Sequence, residues 1–287
     1  MYAMSEVKMA ELRAILQTQR WTSHNIKLAD DLTTMPGTPD FMDTDMRLAA
    51  VRRIIRSRFG DDLSGLRIAD LGSLEGGFAT ALALDGAVVI GIEAREANVA
   101  KAELLRRRFK LSNLTFQQAD VKAFTAESFG TFDVVLALGI VYHLDRPAAW
   151  LRQVAHATGT LLIVDSHFAP ANDTELALMR ADIRDLSPIE AERVGESSYI
   201  GRWYTEFPED ISDAAREHNQ WASFSNHRSF WLTEESLLRA MRDAGFDMVA
   251  QQHDATIDAY QLNRYEFCRG MYVAQRLGTL QSDAVAQ

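Results

Sequence analysis

Short apolar runs alternate with amphipathic stretches through the middle of the chain. Five runs read as buried strands: Arg67–Leu71, Val88–Glu93, Leu114–Gln118, Asp133–Leu138 and Thr160–Ser166. Between them, Gly76–Leu84, Ala97–Phe109 and Pro147–Ala157 carry helical spacing. Apolar strands this short, separated by helices, predict a parallel sheet joined by right-handed crossovers.

On either side the rhythm changes. Residues 4–19 have the apolar spacing of a helix, and Trp21 to Asp40 is an irregular segment rich in turn residues. Asp43–Arg58 returns to helix, with Met46, Leu48, Val51, Ile54 and Ile55 as its apolar stripe. After Asp165 the strand–helix beat stops, and residues 169–231 hold polar and aromatic stretches. A helix over Thr233–Ala244 then starts on Thr233, Glu234 and Glu235, and Asp247–His253 and Tyr265–Gln275 read as a closing strand pair. The organisation expected is a helical extension (1–60), a core (61–168), an insertion (169–232), closing core elements (233–278) and a frayed tail (279–287).

Composition narrows the function classes. A formal charge of −10 argues against a polyanionic partner, and the basic runs Arg52 to Arg58 and Arg106 to Lys110 fall on expected helices as solvated faces. The single Cys268 excludes a disulfide framework and a multi-cysteine zinc site, and its surroundings predict a buried thiol in a strand. No apolar run reaches membrane-spanning length and no basic-then-apolar leader opens the sequence, so a cytoplasmic protein is expected.

The chemistry concentrates in D-L-G-S-L-E-G-G (Asp70 to Gly77), a glycine turn between a strand and a helix. Such a turn exposes backbone amides at a helix N-terminus to a charged ligand. Glu93 ends the next strand, where a doubly wound sheet hydrogen-bonds ribose hydroxyls. Leu74 stands where a dinucleotide fingerprint has its second glycine, which disfavours NAD. Asp70 would repel a pyrophosphate, yet it suits a ligand bearing an amino group and a sulfonium.

These residues resemble the class I S-adenosylmethionine-dependent methyltransferases over roughly residues 65–165, with closing elements at 233–275. The resemblance implies an α/β, doubly wound, mostly parallel seven-stranded Rossmann-like sheet, with the N-terminal helical extension and an insertion after strand five. It implies S-adenosyl-L-methionine as cofactor, with Asp70, Gly72, Ser73 and Gly76 around its methionine moiety, Glu93 and Ala94 at the ribose, and Asp120, Val121 and Leu138 completing the site. Asp120 has a competing reading as a turn cap. The string G-I-V-Y-H-L (Gly139 to Leu144) is similar to a segment of tRNA wobble-uridine carboxymethyltransferases, which keeps an RNA-modifying transferase as the alternative.

Tyr142 and His143 would face the transferred methyl group, or else pack beneath the cofactor. His167, in D-S-H, is the second imidazole on the same rim, and either histidine is a candidate general base. A metal held by the two histidines and Asp165 has no spacing to support it, so none is expected. The aromatic- and arginine-rich strings Ser197–Phe207 and Trp221–Leu232 read as a lid over a small polar acceptor, with an interface between two copies as the competing reading. Tyr199, Arg202, Tyr204, Asn226, Arg228, Trp231 and, from the N-terminal segment, His24 are the expected acceptor contacts. Arg202 or Arg228 would pair with an acceptor carboxylate. Methylation of a small metabolite at oxygen, nitrogen or sulfur is the leading function; a nucleic-acid partner is not expected, and a homodimer is left open.

Overall fold

The computed structural model describes residues 6–253 and 264–277; the expected frayed tail lies outside the described residues. Helix α1 (Glu6–Thr18) leads to a small hairpin of β1 (Lys27–Ala29) and β2 (Leu32–Thr33), then to α2 (Met46–Phe59). The alternating core follows as β3 (Arg67–Leu71), α3 (Gly77–Leu84), β4 (Val88–Glu93), α4 (Glu96–Phe109), β5 (Leu114–Gln118), α5 (Ala126–Phe129), β6 (Phe132–Leu138), α6 (Pro147–Ala157) and β7 (Thr158–His167). Next come α7 (Asp173–Leu178), β8 (Glu190–Val194), β9 (Ser197–Thr205), α8 (Asp213–His218) and β10 (Arg228–Leu232). The described chain closes with α9 (Glu234–Asp243), β11 (Met248–Gln252), α10 (Arg264–Phe267) and β12 (Arg269–Gln275).

The main sheet has seven strands in the order β11-β12-β7-β6-β3-β4-β5. β5, β4, β3, β6 and β7 run parallel, and β12 is antiparallel to both its neighbours. The chain order reverses between β3 and β6, so their carboxyl ends open a crevice where ligands bind in doubly wound sheets.

Side-chain alternation divides the strand residues between two cores. Ile68, Val134, Leu136, Ile163 and Val273 face α2 and α3, meeting Ile54, Ile55, Ala79 and Leu82. Ala69, Val135, Ala137, Leu162, Val164 and Ala274 face α6 and α9, meeting Leu151, Val154, Leu237 and Met241. The N-terminal segment adds a smaller core in which Trp21 and Leu28 pack on Leu104 and Leu105 of α4.

Residues 169–232, expected only as irregular lid segments, form a three-stranded antiparallel sheet in the order β10-β9-β8. It docks on the core through Phe230 and Leu232, and the Phe230 amide donates to the Leu144 carbonyl at 2.8 Å. Two boundaries differ from expectation by three residues or more, for local reasons. The Asp45 side chain accepts from the amides of Arg47 and Leu48, so α2 starts at Met46 after a tight turn instead of at Asp43. The strand expected from Tyr265 starts at Arg269, because α10 ends just before Cys268, which has φ of 42°. Cys268 is buried as expected, but in this bend and not in a strand. Among the described residues, no helix is long and apolar enough to cross a membrane.

Candidate functional site

A cavity of about 680 Å³ opens at the carboxyl ends of β3, β4, β6 and β7. The glycine turn forms one end. Gly72 has φ of 69°, and a Cβ there would lie 3.1 Å from Ile140 Cδ1. The amides of Gly72 and Ser73 donate to the Ile92 carbonyl at 2.8 and 3.0 Å, which folds the turn back over β4. Asp70 is buried with Oδ2 unpaired, and the Ser73 hydroxyl is likewise buried without a partner.

Of the residues expected around a cofactor, Asp70, Gly72, Ser73, Glu93, Ala94, Asp120, Val121 and Leu138 line this cavity. Gly76 does not, which corrects its expected contact. It is glycine because its φ is 79° and a Cβ would sit 2.7 Å from Ala102 Cβ and 2.8 Å from the Phe116 ring. The Glu93 carboxylate is braced by the Leu74 amide on Oε2 at 3.0 Å and the Arg95 amide on Oε1 at 2.9 Å. Asp120 caps the following turn through the Lys122 amide at 2.9 Å, as its competing reading had it, and it also lines the cavity.

A strap from the N-terminal segment covers the turn. Glu75, fully buried, accepts from the amides of Thr22, Ser23 and His24 at 2.8, 3.1 and 3.0 Å, and from Lys101 Nζ at 2.9 Å. His24 Nδ1 accepts from the Gly77 amide at 3.0 Å, so the imidazole caps α3. Burial lowers His24 to about 4, which keeps the ring neutral. His24 lines the cavity as expected, but one of its nitrogens is committed to the helix.

At the other end, Tyr142 and His143 sit in a tight turn after β6, and both line the cavity. His143 Nδ1 is 2.8 Å from Glu206 Oε1. Glu206 also accepts from the Ser229 hydroxyl at 2.8 Å and the Ser223 amide at 3.1 Å. Burial acts to raise the Glu206 carboxyl, but the bond to His143 and these further donors outweigh it and hold it below its ordinary range. A carboxylate on Nδ1 fixes that nitrogen as the N–H donor and leaves Nε2 as the proton acceptor.

His167 is not equivalent. Its Nδ1 lies 2.8 Å from the Phe267 carbonyl, its ring stacks on Trp231 at 5.0 Å, and Tyr142 stands edge-on at 4.7 Å. Burial, then the Arg269 charge, lowers it to about 3. Walled off from the cavity lining, it leaves the general-base candidacy to His143.

The arginine grip also moves. Arg202 is 1% exposed and donates to the Pro170 and Ser187 carbonyls and to Asp173, tying β9 to the preceding loop. Arg228 is exposed and lies over the Trp203 ring. Tyr199 donates to Asp243 at 2.8 Å, and Tyr204 packs on the buried Trp231. None of these five lines the cavity: Arg202 is tied to the preceding loop, Tyr199 faces α9, Tyr204 packs on Trp231, which stacks on His167, and Arg228 is exposed. Asn226 does line it, donating to the carbonyls of His143 and Arg228 at 3.1 and 2.8 Å.

Three lining or bracing residues escaped the sequence reading. Arg269 grips Asp165 through Nε at 2.9 Å and Nη2 at 2.7 Å. Arg47 pairs with Asp45 at 2.9 Å and approaches Asp165 to 3.7 Å. Burial acts to raise Asp165, but Arg269 and then Arg47 outweigh it and keep the carboxyl below its ordinary range. Glu206, the third, stands in the quoted string Ser197–Phe207, but no local signal tied it to a histidine 63 residues earlier. Among the described residues, no group of three or more His, Cys, Asp or Glu side chains is arranged to hold a metal ion.

Comparison with known proteins accords with this geometry. A family profile described as a methyltransferase domain matches residues 42–251. The chain is 36% identical over 100 residues to a ubiquinone biosynthesis O-methyltransferase of Azotobacter vinelandii, covering 35% of this chain and 41% of that protein. It is 32% identical over 145 residues to the protein of that name from a Caulobacter species, covering 48% of this chain and 56% of the relative. The matches thus span about half the length of these curated relatives. Among solved structures, the N-terminal domain of EvdMO1, determined with S-adenosylhomocysteine and D-fucose, superposes with a TM-score of 0.69 at 22% identity, covering 95% of this chain and 98% of that one. A Mesorhizobium loti S-adenosylmethionine-dependent methyltransferase superposes at 0.50 and 18% identity, covering 82% of this chain and 100% of that chain. These two likenesses establish the fold.

Proposed function

The chain belongs to the class I S-adenosylmethionine-dependent methyltransferase-domain family, and from that premise we propose that it methylates a hydroxyl oxygen of a small molecule. The observation that carries the proposal is His143 in the cavity lining with the buried Glu206 carboxylate on its Nδ1. A hydroxyl is a weak nucleophile until it loses its proton, and a base oriented by a carboxylate supplies that step.

The residues present suit the cofactor. The unpaired Oδ2 of Asp70 and the hydroxyl of Ser73 are buried polar atoms that the protein leaves unsatisfied, and such atoms call for a ligand. Asp70 would take the ammonium, Ser73 the methionine end, Glu93 the ribose hydroxyls, and Ala94, Asp120 and Val121 the base. When bound, S-adenosylmethionine supplies an activated methyl group on a sulfonium. Tyr142 and Asn226 wall the acceptor in beside His143. His143 Nε2 takes the hydroxyl proton, and the Glu206 carboxylate stabilises the imidazolium that results.

The acceptor reading changes in one respect. With Arg202 and Arg228 outside the cavity, the expected carboxylate on the acceptor loses its carriers. Of the cavity's guanidiniums, Arg47 and Arg269 are matched by Asp45 and Asp165, and Arg95 is held by the Asn219 and Ala222 carbonyls, so a neutral hydroxylated acceptor fits better. The curated relatives are named O-methyltransferases of ubiquinone biosynthesis, and the EvdMO1 domain was determined with a sugar; both kinds of molecule carry hydroxyls. An RNA acceptor draws no support from the basic run on α4, where Arg106 pairs with Glu103 and Arg108 donates to the Leu28 carbonyl.

Calorimetry should give stoichiometric binding of S-adenosylhomocysteine and none of NAD. A panel of phenols, catechols and neutral sugars, scored by S-adenosylhomocysteine release, should then contain an accepted substrate. Binding of NAD with silence toward S-adenosylhomocysteine, or transfer to amines or thiols alone, would sink the reading.

The cofactor's hold should depend on pH. Burial, with Glu93 nearby, raises Asp70 to about 7. Binding an ammonium favours the ionised carboxylate, so the site must release a proton below that point. Affinity for S-adenosylhomocysteine is therefore expected to climb by up to about tenfold per pH unit as pH rises towards 7, then level off. Asp70→Asn should flatten the profile, and calorimetry across pH reads it; a flat wild-type profile would count against Asp70.

A further inference from the structure

Arg95 is 6% exposed, lines the cavity, and touches both halves of the site. Its backbone amide braces Glu93. Its Nη2 lies among four carbonyls of α8 and the segment after it: Asn219 at 2.8 Å, Ala222 at 2.9 Å, Arg216 at 3.3 Å and Ser223 at 3.4 Å. Two hydrogens serve the two near carbonyls well and the others only by sharing. Its Nε is buried with no partner.

The segment so held is a wall of the cavity, contributing Gln220 to Asn226 to its lining. Phe224 lies under the Arg95 guanidinium at 5.6 Å, while Trp221 is 62% exposed at the rim. The same segment reaches the base. The Ser223 amide donates to Glu206, the Ser223 hydroxyl donates to Asn226 at 2.7 Å, and Asn226 donates to the His143 carbonyl. Thr22 of the strap meets it at Gln220, 2.9 Å away. One stretch of lid therefore joins the ribose carboxylate's neighbour to the residues that orient the base.

Arg95 lines the cavity, its guanidinium is filled at one end by the lid, and its Nε is a buried donor without a partner, which together make half of a contact. We propose that Arg95 is a positioning residue that couples cofactor occupancy to the acceptor site: Nε donates to the adenosine portion of the cofactor while Nη2 clasps residues 216–223, and the clasped lid holds Glu206 and His143 in line. The coupling rests on the cofactor reading above.

The test uses the full chain, S-adenosylhomocysteine as probe, and trypsin cleavage at Arg216 in the lid, read by mass spectrometry. Each protein is compared with its own unliganded cleavage rate, so a merely less stable variant does not mimic the effect. Saturating probe should slow wild-type lid cleavage about tenfold or more. Arg95→Met should bind the probe within about tenfold of wild type, through Asp70 and Glu93, yet gain no protection. Arg95→Lys, which keeps the charge without the fork, should give intermediate protection and carries the test if the Met variant does not fold. Full probe-induced protection in either variant overturns the coupling, as does wild-type cleavage indifferent to bound probe. Absence of any calorimetric binding to wild type overturns the cofactor reading itself, and the coupling with it.

Discussion

His143→Asn is expected to lower methyl transfer by about 10²–10⁴, the usual contribution of a positioned general base. Affinity for S-adenosylhomocysteine should stay within about threefold of wild type, because His143 lies at the acceptor end and Asp70 and Glu93 at the cofactor end. Glu206→Gln is the sharper variant. A glutamine can keep the 2.8 Å contact to Nδ1 while its amide donates, which would force the proton onto Nε2 and remove the acceptor that the reaction needs. In the serine-protease triad the corresponding carboxylate-to-amide change costs about 10⁴ through this wrong tautomer. The two variants should therefore fall by similar factors, and at a neutral acceptor neither loss should be recovered by adding more substrate. Initial rates of S-adenosylhomocysteine release, beside calorimetric affinities, separate these effects. If His143→Asn kept more than about a tenth of wild-type turnover, the base would have to be sought elsewhere.

How much of this was legible depended on whether the signal was local. β3 and β4 have the limits read from the sequence, because buried parallel strands are apolar runs that stop at glycines or polar caps; the edge strand β5 has them too, although only its Leu114 is buried. The glycine turn and Glu93 were legible for a related reason: a ligand that needs close backbone approach leaves its mark in consecutive residues. The inserted sheet was not. In S-S-Y-I-G-R-W-Y-T the inward positions include Arg202, and an arginine among aromatics reads as a ligand grip until its carbonyl partners at Pro170 and Ser187 are seen. The working pairs of the acceptor end were hidden by sequence separation. Asp165 and Arg269 are 104 residues apart, and His143 and Glu206 are 63 apart. Only the placement of β12 beside β7, and of β10 beside the turn after β6, brings them together. His167 shows the converse: its sequence position at a strand end was a sound reason to suspect it, and only the stacked Trp231 and the Phe267 carbonyl remove it from the cavity.

The strap predicts a large effect on stability, in place of catalysis. Glu75→Ala removes the acceptor for three backbone amides and leaves Lys101, whose side chain is 4% exposed, as an uncompensated buried cation. Breaking a buried pair from one side costs about 3–5 kcal/mol, which at ~2–4 °C per kcal/mol gives a clear fall in the melting temperature. Removing the charge alone from both partners distinguishes the two contributions. Glu75→Gln combined with Lys101→Met keeps a carbonyl for the amides of Ser23 and His24, loses the acceptor for Thr22 and leaves no unpaired ion, so the double variant should recover part of the loss. Acid should undo the same strap. Burial acts to raise Glu75, but its donors hold it below its ordinary range, so its contribution is present above its unfolded pKa and is lost as pH falls through the folded value. His24, lowered from 6.5 to about 4, is neutral in the fold, so stability also declines as pH drops from 6.5 towards 4. The His24 loss spans that interval, whereas the Glu75 loss falls below its ordinary value of 4.5, so wild type and Glu75→Ala should decline alike down to about pH 4.5 and part only below it. Denaturant titrations of the three proteins across pH 4–7 measure this; a Glu75→Ala variant within about 1 kcal/mol of wild type at neutral pH would show that the strap is held by Trp21 and Leu28 in the small core beside α4 instead.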